Sequence, residues 1–296
     1  MSSFASLSRE LAAVAETLGP SIVRVEARRV PASGMVWAAE GLVLAADHAV
    51  ERDEQIRVGL ADGRTVPAAL VGRDPTTDVA LLRVDAGGLV PAPWAEPQDA
   101  RVGHLVVSLA RPGRTVRARL GMLSAVADAW RAPTGADVER YLEIDRAPAQ
   151  GFSGGAVVDA SGSVLGMQTS GLLRRIALAV PAPTVRRVVA ALLTHGRVRR
   201  GYVGVGAQPV RLPAAMRQEV GQEVGLLILS VEPGSPAEQA GLVLGDVVVG
   251  VGDVRVRHVH DLLGLLTADR IGVMVPVRIL RAGSVREVTV TIGERR

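Results

Sequence analysis

The decapeptide QGFSGGAVVD, residues 150–159, sets three glycines around one serine and runs directly into an apolar, β-like stretch. Glycine loses more backbone freedom on folding than any other residue, so a glycine-rich bend at the mouth of a strand costs stability unless its geometry is needed. Two readings are open on these ten residues. Ser153 is a polar residue of a hairpin turn, or it is a nucleophile presented on a bend, with the amides of Gly151 and Ser153 aimed at a developing oxyanion. A serine hydroxyl is a weak nucleophile until a neighbouring base takes its proton. The decision therefore rests on the rest of the chain.

The 296 residues suffice for two domains. With 48% apolar residues and abundant glycine and proline the composition is globular, and no segment reaches the ~18 uninterrupted apolar residues of a membrane span. The opening MSSFASLSRELAAVAETLG breaks its apolar residues with Arg9, Glu10 and Glu16 and so lacks the apolar centre of a secretory signal. As written the chain is expected in the cytoplasm, or outside it if a targeting segment has been trimmed. The net charge is +4, yet every basic residue is arginine and the arginines run the whole length of the chain. With two tyrosines and two phenylalanines there is little to stack on bases, so nucleic acid is not expected as a partner. The absence of cysteine excludes disulfides, thiol catalysis and cysteine-bound zinc. His258 and His260 would be neighbours on one strand face with no third ligand nearby, which reads as a solvated face and not as a metal site.

Residues 5–17 read as a short amphipathic helix closed by Gly19-Pro20. Short apolar runs then recur, from SIVRVEARRV through GLVLAADHAV, DVALLRV, HLVVSLA and YLEID to RIALAV, at the spacing of barrels and sandwiches. The turns ADGR and DASGS join some of them as hairpins. Residues 183–195 are the first long helix, stopped by Gly196. Beyond it GRVRRG reads as a basic linker, and 201–296 carry strands of their own with helical stretches at SPAEQAG and VHDLLGLLTA. The expected division is 1–195, a linker at 196–202, and a small α+β domain at 203–296.

A base for Ser153 is found upstream. His48 ends the apolar strand of GLVLAADHAV, and Asp78 directly precedes the apolar strand of DVALLRV, 30 residues later. A carboxylate entering a strand must be solvated or hydrogen-bonded, and accepting the Nδ1 proton of His48 would satisfy it. The order His48, Asp78, Ser153 is that of chymotrypsin-type barrels and differs from subtilisin and the α/β-hydrolases.

With these motifs in hand the chain resembles the HtrA/Deg serine proteases, trypsin-like double β-barrels followed by a PDZ domain, from about residue 20 to 293. LVLAADHAV, DGRTVPAALVGRDPTTDVALLRV, LEIDRAPAQGFSGGAVVDASGSVLGMQT and GSPAEQAGLVLGDVVVGVGDVRV resemble the family's motifs in the family's order. Phe152 departs from the family asparagine and cannot make the ion pair of trypsin activation. Ala149 and Gln150 replace Asn-Pro in the loop that holds the Gly151 amide.

The resemblance implies a triad of His48, Asp78 and Ser153, an oxyanion hole from the Gly151 and Ser153 amides, and no metal or cofactor. Ala147, with Ser170 and Gly171, would line a specificity pocket suited to apolar residues. GYVGVG matches the PDZ loop that caps a peptide C-terminus, which assigns peptide binding to Tyr202, Val203, Gly204 and Val205. The implied partners are unfolded protein or peptide substrates, C-terminal peptides, and two further copies in a homotrimer. ATP-independent endoproteolysis is the expected function. The alternative suggested by AQGF is a protease-fold peptide-binding or chaperone module with little turnover.

Overall fold

The computed structural model describes residues 3–173 and 175–294, which fall into two compact units, 1–198 and 199–296. Unit 1 opens with helix α1 (Ser3–Leu18). Six strands follow: β1 (Ile22–Glu26), β2 (Ala32–Ala38), β3 (Leu42–Ala46), β4 (Ile56–Gly59), β5 (Thr65–Asp74) and β6 (Val79–Val84). They close an antiparallel barrel in the order β1-β2-β3-β6-β5-β4. Sequence accounts for the local choices. β3 is buried on both faces, as its unbroken apolar run requires. The β4–β5 turn is an aspartate turn in which Asp62 accepts the Arg64 N–H at 2.9 Å and Gly63 takes a φ of 90°.

A second barrel follows from β7 (Leu105–Ala110), β8 (Arg117–Ala127), a two-stranded excursion of β9 (Trp130–Arg131) and β10 (Asp137–Val138), then β11 (Tyr141–Ile144), β12 (Ala156–Val158), β13 (Val164–Thr169) and β14 (Ala177–Pro181). Its strand order is β11-β14-β13-β12-β7-β8. Helix α2 (Ala182–His195) closes the unit, capped by Gly196 at φ 69°. A side chain on Gly72 of β5 would stand 2.1 Å from the Gly196 carbonyl oxygen, so glycine there lets the helix end approach the barrel.

Each barrel has its own apolar interior, Val23, Val43 and Ala80 in the first and Val106, Leu123 and Val157 in the second. A third cluster joins them, uniting Leu44 and Leu81 with Leu109 and Met167 and with Val185 and Val188 of α2. At roughly 1.5–3 kcal/mol per fully buried aliphatic side chain, that shared cluster is what fixes one barrel against the other. Loops from both therefore meet in a fixed geometry.

Unit 2 contains β15 (Gly201–Tyr202), β16 (Val205–Arg211), α3 (Ala214–Val220), β17 (Val224–Val231), α4 (Pro236–Gln239), β18 (Val247–Val251), β19 (Val254–Arg255), α5 (Val259–Leu265), β20 (Met274–Arg281), β21 (Ser284–Thr291) and β22 (Gly293–Glu294). The main sheet runs β16-β17-β18-β20-β21. Helix α3 has no counterpart in the sequence reading. It is seven residues long with no fully buried side chain, too short for a helical repeat to show. His258 and His260 do not lie on a strand. His258 is the N-cap of α5, and Asp261 in its first turn accepts the N–H groups of Arg257 and His258 at 2.8 Å each. This reciprocal cap opens the helix expected at VHDLLGLLTA, so the two imidazoles stack 5.1 Å apart at its start instead of sharing a strand face, and Asp261 stands beside them as the third possible ligand that the sequence did not show.

Asp246, 1% exposed, is held by two hydrogen bonds from the Arg281 guanidinium, both 2.7 Å, and by the Val243 N–H at 2.9 Å. Burial pushes its carboxyl up, but these donors and the arginine charge outweigh burial and leave it below the ordinary carboxylate range. The stabilisation is therefore full above the unfolded pKa of ~3.9 and is lost as pH falls through the lower folded value. Asp246→Asn should destabilise unit 2 by about 3 kcal/mol at neutral pH, with the difference from the parent shrinking on acidification below ~pH 4. Calorimetry across pH checks both the size and the direction.

Candidate active site

Three loop segments of unit 1 carry the candidate residues. His48 sits in the turn after β3, Asp78 immediately before β6, and Ser153 in the loop between β11 and β12. β3 pairs with β6 so that Ala46 faces Val79, which places the two strand ends, and hence His48 and Asp78, side by side. The loop before Asp78 is fixed by Asp74, whose carboxylate accepts the Thr76 N–H and the Thr76 and Thr77 hydroxyls at 2.6–3.2 Å.

Asp78 is 3% exposed and has a positive φ of 59°. Its carboxylate accepts the His48 backbone N–H at 2.9 Å and lies 2.8 and 2.9 Å from His48 Nδ1. The Thr169 hydroxyl also donates to it and in turn accepts the Gly171 N–H at 2.8 Å. An ionised carboxylate only accepts, so the proton sits on Nδ1 and Nε2 is left as the basic nitrogen. The adjoining Asp47 lies 3.3 Å from Arg73. Burial, opposed by Arg73 and reinforced by the charges of Asp78 and Asp74, holds the Asp47 carboxyl above its ordinary value.

Ser153 is 8% exposed. Its Oγ is 3.3 Å from Ser170 Oγ, and among the described residues its hydrogen-bond partner is Ser170 and not His48. Around it the backbone amides divide sharply. The N–H of Phe152 goes to the Ala149 carbonyl (3.1 Å), that of Gly154 to Gln168 (2.9 Å) and that of Gly155 to Phe152 (2.9 Å). Among the described residues the amides of Gly151 and Ser153 donate to no protein group. Two unengaged donors flanking a buried serine are the chemical requirement of an oxyanion site. Gly151 has a φ of 81°, and a side chain there would come within 2.4 Å of Pro112 Cβ.

The three pocket candidates have different surroundings. Ser170 adjoins Ser153. Gly171 backs Asp78 instead, since a Cβ would stand 2.6 Å from Oδ2. Ala147 is on an exposed loop, where its carbonyl accepts from Arg119 at 3.3 Å. Phe152 is buried, with the Arg119 guanidinium 5.7 Å from its ring centre. Three residues with roles at this site carried no separate signal in the sequence: Thr169, Ser33 and Arg111. Ser33 Oγ donates to the Gly151 carbonyl at 2.6 Å, and its N–H donates to the Ser153 carbonyl at 3.2 Å.

In unit 2 Tyr202, Val203, Gly204 and Val205 stand together along a cleft of about 680 Å³ whose lining also includes Leu262 of α5 and Leu266 just beyond its end. The carbonyls of Val203 and Gly204 accept from Ala237 and Glu232 at 2.8 and 2.9 Å, while the Val203 and Gly204 amides have no partner among the described residues. The Tyr202 hydroxyl donates to Glu232.

Residues 32–167 match the trypsin-like peptidase domain and 201–292 the PDZ domain. A probable periplasmic serine endoprotease, DegP-like, of Halomonas elongata is 34% identical over 275 residues, covering 91% of this chain and 57% of the relative. Its counterpart in Brucella suis biovar 1 is 31% identical over 273 residues, covering 88% and 52%. The chain thus spans about half the length of these relatives. Among solved structures, the serine endoprotease from Yersinia pestis superposes with a TM-score of 0.76 at 28% identity, covering 97% of this chain and 98% of that one. The HtrA-type protease AlgW with a decapeptide gives 0.75 at 25%, covering 97% and 99%.

The chain belongs to the HtrA/Deg family. The two barrels are the trypsin-like double barrel, and a PDZ domain follows. No helix among the described residues of this HtrA/Deg chain is long and apolar enough to cross a membrane.

Thr169→Val keeps the side-chain shape but removes one donor from the buried Asp78 carboxylate. Labelling of Ser153 by a fluorophosphonate should slow about tenfold, ~1.4 kcal/mol in barrier, and rate measurements at fixed probe concentration test it.

Proposed function

We propose that this chain is a serine endopeptidase that cleaves unfolded or damaged proteins after apolar residues without ATP, and that its PDZ domain binds peptide C-termini. The observation that carries the reading is the conjunction of an Asp78-bound His48 with a buried Ser153 flanked by two unengaged amides. Ser153 Oγ attacks the peptide carbonyl while His48 Nε2 takes its proton. Asp78 holds the tautomer that leaves Nε2 free and stabilises the imidazolium that forms. The negative charge on the tetrahedral oxygen is received by the Gly151 and Ser153 amides, a donor each being worth roughly 2.7–4 kcal/mol. His48 then returns the proton to the leaving amine, and water repeats the sequence on the acyl-enzyme. Every step uses side-chain and backbone groups of the chain itself.

In the PDZ cleft the free Val203 and Gly204 amides cap a terminal carboxylate, and the peptide adds as a strand beside β16. By family resemblance the working form is a homotrimer, and the naming of the relatives as periplasmic supports an extracytoplasmic site of action. One observation favours a second reading, a peptide-binding or chaperone module with little turnover: the Ser153 hydroxyl rests on Ser170 and not on His48. Catalytic hydrogen bonds are often incomplete without substrate, which keeps the protease reading first.

Fluorophosphonate labelling and casein digestion should both be present in the parent and absent in Ser153→Ala. Digestion unchanged in Ser153→Ala would overturn the assignment, and a folded parent that neither labels nor digests would favour the binding module. Gly204→Ala adds a Cβ 2.2 Å from Ser235 Cβ at a position with φ 81°. It should weaken binding of an apolar C-terminal peptide by about tenfold or more, read by fluorescence anisotropy, with Ser153 labelling retained.

A further inference from the structure

Arg111, the residue after β7, is 6% exposed and pairs with no carboxylate among the described residues. A buried guanidinium without compensation is expensive. Here the compensation is three peptide carbonyls: Nε donates to Ile22 at 2.6 Å, Nη2 to Gly19 at 2.8 Å and Nη1 to Arg114 at 2.7 Å. Two of these lie 89 and 92 residues upstream, in the segment that leads from α1 into β1. The Gly19 carbonyl follows directly on the 16-residue α1, at the end of a helix where the backbone dipole favours a cation. Methionine or leucine would fill the same volume at less desolvation cost, so the retained charge calls for a reason beyond packing.

The other side of Arg111 supplies one. Its backbone N–H donates to Ser33 Oγ at 2.8 Å, and that same oxygen donates its proton to the Gly151 carbonyl at 2.6 Å. The next residue, Pro112, lies against the bare Cα of Gly151, close enough that a Cβ there would meet it at 2.4 Å. Arg111 and Pro112 therefore brace Gly151 twice, once through Ser33 and once by direct contact. Where the Arg111 backbone sits is in turn fixed by what its guanidinium grips.

We propose that Arg111 is a positioning residue that tethers the Gly19–Ile22 segment to the nucleophile loop, so that docking of this N-terminal segment sets the placement of the Gly151 amide. The proposal rests on the reading that the Gly151 and Ser153 amides receive the oxyanion. It also makes the segment a point from which activity is controlled: whatever draws Gly19–Ile22 away releases the guanidinium, and with it the brace on Gly151.

The test compares the parent with Arg111→Met, Arg111→Lys, Ser33→Ala and the Met/Ala double variant, all as full chains. Turnover of an apolar peptide substrate is read beside hydrogen exchange of the bonded amides of Phe152, Gly154 and Gly155. Arg111→Met should lower kcat about tenfold, short of the ~10²–10³-fold of deleting an oxyanion donor, with KM within about threefold and faster loop exchange. Arg111→Lys should recover part of both, and the double variant should be little worse than either single one, as expected of groups acting in one chain of contacts. Parent-like loop exchange in both Arg111 variants overturns the tether, whether or not stability falls. Strictly multiplicative losses in the double variant overturn it as well. If the parent itself shows no turnover and no Ser153 labelling, the protease reading fails separately, and loop exchange alone decides whether the tether exists.

Discussion

One buried carboxylate sets the conditions for everything else at the junction of the two barrels. Asp78 occupies a left-handed backbone conformation, which costs a residue with a Cβ about 1–2 kcal/mol. It is repaid by hydrogen bonds from the His48 backbone, the His48 ring and the Thr169 hydroxyl, and by its carbonyl accepting the Asp47 N–H at 3.1 Å. Bonds to a charged group are worth roughly 1.5–3 kcal/mol each, so the sum exceeds the strain. The donors come from different barrels, His48 from the first and Thr169 from the second. The carboxylate thus joins the two halves at the place where the imidazole must be aimed.

The loop that carries Ser153 is held on a different principle. The carbonyls of Gly151 and Ser153 are secured by Ser33, and the amides of Phe152, Gly154 and Gly155 are bonded, while those of Gly151 and Ser153 have no protein partner among the described residues. A polar group that stays unpaired beside buried residues costs free energy, and a fold keeps such groups only where the surroundings prevent the loop from turning to satisfy them. Ser33, Arg111 and Pro112 are those surroundings. Of the departures from the family, Gln150 is exposed and Ala149 is half-buried, with its carbonyl accepting the Phe152 N–H at 3.1 Å.

How much of this was legible in the sequence follows from what sequence patterns record. His48 and Asp78 could be read because polar residues at the ends of apolar strands have few bland explanations, and Ser153 because its glycines advertise a special backbone. The double barrel and the PDZ domain were legible through strand spacing and motif order. Ser33 and Arg111 were not, because their roles lie in contacts spanning 118 and 92 residues, with backbone carbonyls as partners, and a carbonyl leaves no mark in a sequence. At Gly171 the sequence does not disclose that the missing side chain makes room for Asp78, because that contact joins positions 93 residues apart. His258 and His260 alternate as they would on a strand, but they belong to the start of the helix at VHDLLGLLTA, which Asp261 caps.

The contact between Ser153 Oγ and Ser170 Oγ bears on time as well as geometry. Redirecting the hydroxyl toward His48 requires rotation about one side-chain bond, an event of picoseconds to nanoseconds. It adds nothing measurable to a turnover of ordinary length, ~1–10³ s⁻¹. A lag of milliseconds or longer in the onset of activity would therefore originate elsewhere, in assembly, in peptide binding or in backbone rearrangement such as release of the Gly19–Ile22 segment that Arg111 grips.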